Sequence, residues 1–210
     1  LADHTFIVNR EVITRMSGEH SPNTYETQGA LINVKQGQYG RTYAIWVDGV
    51  QVASHETPDG SDKSHTKQID VGFIVNKLAE QVRAKGYTVD TGSSWLRIRG
   101  VKTVKTADGF NNNAMVGFTT KAQRFNLLPA SAPDGYTLEI AGDPKGDSSG
   151  NYYVTYDGDG RVWQECVKPN INISFEAQTM PHELVRQAND TFIFQRCTWD
   201  KRKVGDEDSN

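Results

Sequence analysis

The residues most suggestive of chemistry are Asp157-Gly158-Asp159-Gly160, whose alternating carboxylates imitate the start of a calcium loop. Calcium takes six to eight oxygens, and no bidentate Glu follows at the spacing such a loop needs, so the stretch reads as a hairpin turn. Asp143-Pro144-Lys145-Gly146-Asp147-Ser148-Ser149-Gly150 combines Gly with Lys but lacks the spacing of a phosphate-binding loop, and it reads as a mobile surface loop. The five histidines, His4, His20, His55, His65 and His182, are scattered and form neither a His-x-x-x-His pair nor the partner of a Gly-x-Ser-x-Gly elbow. Cys166 and Cys197 lack the close pairing of a zinc site and read as isolated thiols. These observations assign no catalytic, cofactor-binding or metal-binding residue. A glycoside hydrolase needs two carboxylates about 5–10 Å apart in space, which spacing along a chain does not reveal. Trp46, Trp95, Trp163 and Trp199 with Tyr39, Tyr43, Tyr152, Tyr153 and Tyr156 offer either a sugar-stacking face or ordinary strand aromatics, and alternation along strands favours the latter.

The elements that must position these side chains follow from turn chemistry. Asp-Gly occurs at residues 48, 59, 108, 134, 157 and 159, often between β-branched or aromatic runs. Gly accepts positive φ freely and Asp tolerates it, which tight hairpin turns require. Residues 43–47 and 50–53 therefore form a hairpin across Asp48-Gly49, residues 152–156 and 161–165 a second, and residues 88–90 and 95–99 a third. One segment has a different period. Val71, Ile74, Val75, Leu78 and Val82 recur every three or four residues, predicting a helix over about 70–85 that Asp70 caps and Gly86 ends. Gly72 and the β-branched residues weaken its intrinsic propensity, so it depends on packing against a sheet.

The fold class is thus α+β and β-rich, with antiparallel hairpins and one packed helix. Residues 17–27 and 166–178 are polar, contain Pro22 and Pro169, and mark crossings between modules. The strands at 5–10 and 190–196 lack a local partner, which predicts that they belong to one sheet interrupted by the middle of the chain. No repeat of 20–50 residues is evident, so a whole propeller within these bounds is not expected.

Composition narrows the function classes. At 210 residues the chain can bury roughly 70% of its unfolded surface without disulfide staples. Lys plus Arg number 23 against 26 Asp plus Glu, a net charge of -3, and this balance disfavours a basic nucleic-acid-binding module. The apolar runs fall far short of the ~20 residues of a membrane helix, and mean hydropathy is -0.61. The opening Leu1-Ala2-Asp3-His4 has no charged leader and apolar segment, which suggests a piece excised from a longer polypeptide.

Several stretches, in order, resemble a known family. They are Ala2-Asp3-His4-Thr5-Phe6-Ile7-Val8-Asn9-Arg10, then Gly29-Ala30-Leu31-Ile32-Asn33-Val34-Lys35-Gln36-Gly37-Gln38-Tyr39-Gly40-Arg41, and Pro58-Asp59-Gly60-Ser61. Leu78-Ala79-Glu80-Gln81, Pro133-Asp134-Gly135-Tyr136, Tyr152-Tyr153-Val154, Val162-Trp163, Thr179-Met180-Pro181-His182-Glu183-Leu184-Val185-Arg186 and Gly205-Asp206 continue the match. The chain resembles the nozzle proteins, or tail tubular proteins B, of short-tailed double-stranded DNA phages. It departs from their pattern chiefly at residues 102–125 and 145–150. The resemblance implies a β-propeller with inserted domains. Residues 1–16 would be a propeller-type flanking strand, 28–178 an inserted β-rich domain with one helix, and 179–210 the return to a propeller-type strand. It further implies a homohexameric nozzle beneath an adaptor ring of tail tubular protein A, tail fibres at that junction, and double-stranded DNA passing without specific binding. The implied place is the virion tail, after synthesis in the host bacterial cytoplasm. No catalytic motif, cofactor or metal comes with the resemblance. The alternatives from the residues alone are a host-envelope glycan-binding module and a hydrolase of cell-wall or capsular polysaccharide.

Overall fold

The computed structural model describes residues 4–24, 27–142 and 150–198. In chain order its strands are β1 (His4–Ile7), β2 (Ala30–Val34), β3 (Thr42–Val47), β4 (Val50–Glu56), β5 (Val89–Thr91), β6 (Trp95–Ile98) and β7 (Val104–Ala107). These are followed by β8 (Met115–Phe118), β9 (Lys121–Ala122), β10 (Thr137–Ile140), β11 (Tyr152–Asp157), β12 (Val162–Cys166), β13 (His182–Arg186) and β14 (Phe192–Arg196). Helix α1 (Val71–Ala84) lies between β4 and β5. Two compact units emerge: an inner unit, Thr24–Glu165, and a terminal unit made of the stretches on either side of it.

The three hairpins of the inner unit follow the turn signals. Asp48 and Gly49 have φ of 48° and 84°, the pair of positive values that a two-residue hairpin turn demands. β3 and β4 diverge from it with a register shift between Ile45 and Trp46. Helix α1 begins where Asp70 accepts the Phe73 N–H at 3.1 Å and ends at Gly86, whose φ is +90°. Ile74, Val75, Leu78 and Val82 are fully buried, as their spacing requires, and Val71 packs against the same core.

Two sheets with strand orders β5-β6-β2-β8 and β4-β3-β7 wrap this helix. β7 and β8 lie side by side between them without a ladder. Gly117 of β8 leaves room there for Val104 and Thr106, whose side chains come within 3.0–3.4 Å of where a Cβ would stand. At the opposite side α1 spans the free edges of β4 and β5. Gln81 Oε1 accepts the Ser54 N–H of β4 at 2.9 Å, and the Arg83 guanidinium donates to the Val89 carbonyl of β5 at 3.1 Å. An uncovered strand edge is a template for unwanted pairing, and here polar residues on the flank of the helix occupy both.

β2 is buried along its whole length. Ala30, Ile32 and Val34 face the helix-side core, while Leu31 faces a second core built with Trp95, Phe118, Tyr136, Leu138 and Tyr156. That second core is closed by the sheet β12-β11-β10-β9. Tyr156 and Trp163 meet edge-on at 5.4 Å across the second hairpin, and the Trp163 indole donates to the Pro129 carbonyl at 2.8 Å. Each fully buried aliphatic side chain of this core, such as Leu31 or Leu138, contributes about 1.5–3 kcal/mol by leaving water.

Buried polar groups join the layers. Gln28 donates to the Thr119 and Thr137 carbonyls and accepts from the Thr137 N–H, at 2.8, 2.8 and 3.0 Å. The Tyr136 hydroxyl is directed at the Gly29 and Thr119 carbonyls, each at 3.0 Å, and burial pushes its pKa far up. Gly29 has φ +75°, and a Cβ there would stand 2.0 Å from the Ile98 carbonyl oxygen, so β2 and β6 meet at a position open to glycine alone.

The terminal unit is built differently. β1, β13 and β14 form an antiparallel sheet in that order. The strand at 190–196 therefore has a local partner after all: β13 and β14 make a hairpin through residues 187–191, which the sequence reading missed because Asn189-Asp190 carries no Asp-Gly signal. Asp190 nonetheless takes φ 59°, the conformation an Asp-Gly would have supplied. Beside this sheet the two polar crossings run antiparallel as a ribbon. Ser17 N–H donates to the Ser174 carbonyl, Ile173 N–H to Glu19 and Ser21 N–H to Ile171, at 2.9–3.0 Å. Residues 166–178 thus fall within the terminal unit.

Candidate functional site

Asp157, the first of the alternating carboxylates, serves the turn in which it sits. Asp157 accepts the N–H groups of Asp159 and Gly160 at 3.0 Å on one oxygen and the Gln164 amide at 2.7 Å on the other. Its carboxylate is thus engaged by the turn it starts. Among the described residues no three His, Cys, Asp or Glu side chains converge as metal ligands. The loop at residues 143–149 lies outside the described residues, as does Trp199. The histidines remain apart: His4 meets Glu183 at 3.2 Å, His20 the Gly18 carbonyl at 2.8 Å and His65 Asp59 at 3.4 Å. His182 stacks on Phe194 at 4.8 Å, and His55 packs near Phe73 at 6.0 Å. Among the described residues Cys166 and Cys197 form no disulfide.

Among the described residues these aromatics are split between the two cores and the surface. Tyr43 lies in the helix-side core, and Trp95, Tyr156 and Trp163 serve the second core. Trp46 sits on the opposite face of its sheet under the Lys105 ammonium at 5.9 Å, while Tyr39 hydrogen-bonds Thr66 at 3.3 Å. A sugar-stacking platform needs several rings on one exposed surface, and tertiary packing separates these. One hollow of the terminal unit, lined by Val8, Val12, Met180 and His182, holds about 150 Å³, below the roughly 300 Å³ at which small-molecule pockets begin.

One carboxylate that the sequence presented only as a turn residue does more. Asp108 is 1% exposed. Its Oδ1 accepts the N–H groups of Phe110 and Asn112, and its Oδ2 those of Ala114 and Met115, at 2.6–3.0 Å. Burial raises the pKa of this carboxyl, and the four amides together outweigh it and hold the value below the usual range. The arrangement fixes the β7–β8 connection. Arg41 braces it from outside, donating to the Gly109 carbonyl at 2.9 Å with its guanidinium 5.2 Å from the centre of the Phe110 ring.

The surface with functional character is the terminal sheet. The register puts Ile7, Leu184, Phe192 and Phe194 on one face and Phe6, Val185 and Ile193 on the other. Phe6, Phe192 and Phe194 are 66%, 58% and 59% exposed. Glu183 carries the polar part of the second face, accepting from the Gln195 amide at 2.7 Å and meeting His4; these contacts, Gln195 first, hold its pKa below the ordinary carboxylate value. Large apolar side chains exposed on both faces of one sheet are rare in monomers and mark a surface that a partner covers.

A β-rich chain with antiparallel sheets, no assembled active-site constellation among its described residues and a doubly apolar sheet has the character of an assembly component. The family model for bacteriophage nozzle proteins matches residues 1–210, and the chain belongs to that family. It is 36% identical over 219 residues to the tail tubular protein gp12 of Escherichia phage T7, a match that covers 100% of this chain and 28% of that protein. The chain therefore spans just over a quarter of the length of this relative. Membership makes it part of a structural protein of the phage tail. No helix among the described residues is long and apolar enough to cross a membrane.

Proposed function

We propose that the chain is the part of a nozzle in which one propeller blade carries an inserted module, and that it acts as scaffold rather than catalyst. The observation that carries this reading is the two-faced terminal sheet. Three strands about 4.8 Å apart and about five residues long present roughly 250 Å² per face. A stable interface between separate molecules buries about 800 Å² per partner. Faces this small are covered well only by chain tethered to them, which supplies a high effective concentration. Stacked sheets about the axis of a propeller meet that need on both faces at once. β1, β13 and β14 are consecutive in the sheet, so the inner unit occupies what would otherwise be a hairpin connection.

In this reading the full-length protein forms a homohexamer beneath the ring of tail tubular protein A, with tail fibres at the junction, in the tail of virions assembled in the host cytoplasm. A conduit must pass a polyanion without gripping it, because each Lys or Arg paired with phosphate adds affinity and slows transit. The net charge of -3 agrees with that requirement. The inner unit, rigid and closed on itself, then offers its outer surface to neighbouring subunits or fibres.

The test uses the full-length protein. Phe194→Asp should abolish hexamers in light scattering and binding to the purified adaptor ring, while wild type does both. An unaffected hexamer would remove the sheet from the assembled propeller. Retardation of duplex DNA by this chain at physiological salt would overturn its passive role in the conduit.

A further inference from the structure

The contact that fastens α1 to the edge of β4 contains a proton-sensitive group. His55 stands on β4 directly opposite Tyr43 of β3, on the helix side of the sheet, with Phe73 of α1 6.0 Å away at a 56° tilt. Its Nε2 is buried and meets no hydrogen-bond partner. No acceptor lies within hydrogen-bonding reach of that nitrogen. Lys77 of α1 bears on the ring with its positive charge while its ammonium lies 5.7 Å from the centre of the Phe73 ring and 3.1 Å from Glu80. The Tyr43 hydroxyl donates to the Gln36 carbonyl and accepts from the Gln38 N–H, at 3.0 and 3.2 Å. Asp70 is engaged by the Phe73 N–H, and with Lys67 it lines a hollow beside Phe73. Burial, then Lys77, lower the His55 pKa below its ordinary value, the direction this geometry demands.

We propose that α1 is an acid-released clasp: a proton on His55, set in this contact without an acceptor and beside Lys77, loosens the first turns of α1 from β4 and opens the edge of that strand. The sign follows from linkage. Imidazole is neutral in both states above about pH 6.5, and below that value the opened state takes up the proton first, so opening grows by up to about tenfold per pH unit until the closed state protonates as well. The helix suits this role, because Gly72 and its β-branched first turns leave it dependent on packing. Beyond Ser54, whose N–H is held by Gln81, the opened edge of β4 would present backbone groups for pairing with another strand.

Hydrogen exchange of the 210-residue chain at pH 7.5 and 5.5, corrected for intrinsic exchange rates, tests the clasp. Residues 73–77 and 52–54 should lose protection about five- to tenfold at the lower pH, while residues 31–34 of β2 keep theirs. His55→Phe should abolish the loss, and if that variant fails to fold, His55→Gln, which has no titratable ring, gives the same discrimination. A loss of equal size in β2, or one that persists without His55, would overturn the proposal.

Discussion

Leu31, Ile32 and Val34 of the inner unit have no solvent exposure, whereas Phe6, Val8, Phe192 and Phe194 of the terminal unit each keep more than half of theirs. The contrast is not one of composition, since both units place β-branched and aromatic residues on antiparallel strands. It lies in what covers them. In the inner unit every strongly apolar strand finds a second layer, and α1 caps the edges of β4 and β5. Among the described residues of the terminal unit, only Ser21 and Ile173 are buried. A module with two filled cores keeps its fold in any company, while a single sheet holds its shape through its ladder and acquires a core on assembly.

The strongest way to break this comparison is to remove a large apolar side chain from each unit. Leu78→Ala empties a fully buried site in the helix-side core and should lower the unfolding free energy by about 2–5 kcal/mol, read as a fall in the urea midpoint. Phe194→Ser, on the terminal sheet, should leave that midpoint within about 0.5 kcal/mol and reduce self-association in light scattering. Equal losses from the two substitutions would mean that the terminal sheet is already covered in the isolated chain.

The next test concerns polar organisation. Asp108→Asn keeps the shape of the side chain but turns one of its two acceptors into a donor, facing amides that also donate. Leaving buried donors unmatched should cost about 1–3 kcal/mol at pH 7. The carboxyl has a folded pKa below its unfolded one. Its contribution is therefore complete above the unfolded value of about 3.9 and lost as pH falls through the folded value. Acid titration followed by tryptophan fluorescence should show that component in the wild type and a flatter profile in the variant. Conversely, a variant as stable as wild type at pH 7 would reduce the four amide contacts to mere proximity.

How far the sequence announced this architecture depends on whether the signal was local. Asp48-Gly49 and the residues 71–82 carried theirs in adjacent positions, and the hairpin and helix appear where they point. β2 was visible only as a matching stretch, because a strand buried on both faces shows no alternation. The crossings looked like loops, yet they pair with each other across about 150 residues, a partnership no local window contains. Asp108 shared its Asp-Gly signature with five other sites, and only the tertiary structure shows that this carboxylate is buried and surrounded by amides. The aromatics failed as a candidate site for the same reason, since their grouping was decided by which sheet face each strand presents.

The smallest expected effect sharpens the comparison from the other side. If the terminal sheet is held by its backbone ladder, its exposed ion pairs should hardly matter to it. Arg186 and Asp190 close the β13–β14 hairpin with such a pair, four residues apart and open to solvent. Attraction between exposed charges is weakened by water and salt and offset by the entropy of holding two long side chains, leaving about 0–0.5 kcal/mol. Arg186→Ala should therefore leave the exchange of the β13 and β14 amides unchanged within about twofold, at both low and high salt. Replacing Asp190, which sits at φ 59° in the turn itself, with a β-branched residue such as Val should accelerate exchange in both strands, because that conformation is strained for such a side chain. If Arg186→Ala loosened the hairpin as much as Asp190→Val, side-chain charge rather than the backbone would be holding the sheet ready for its partners.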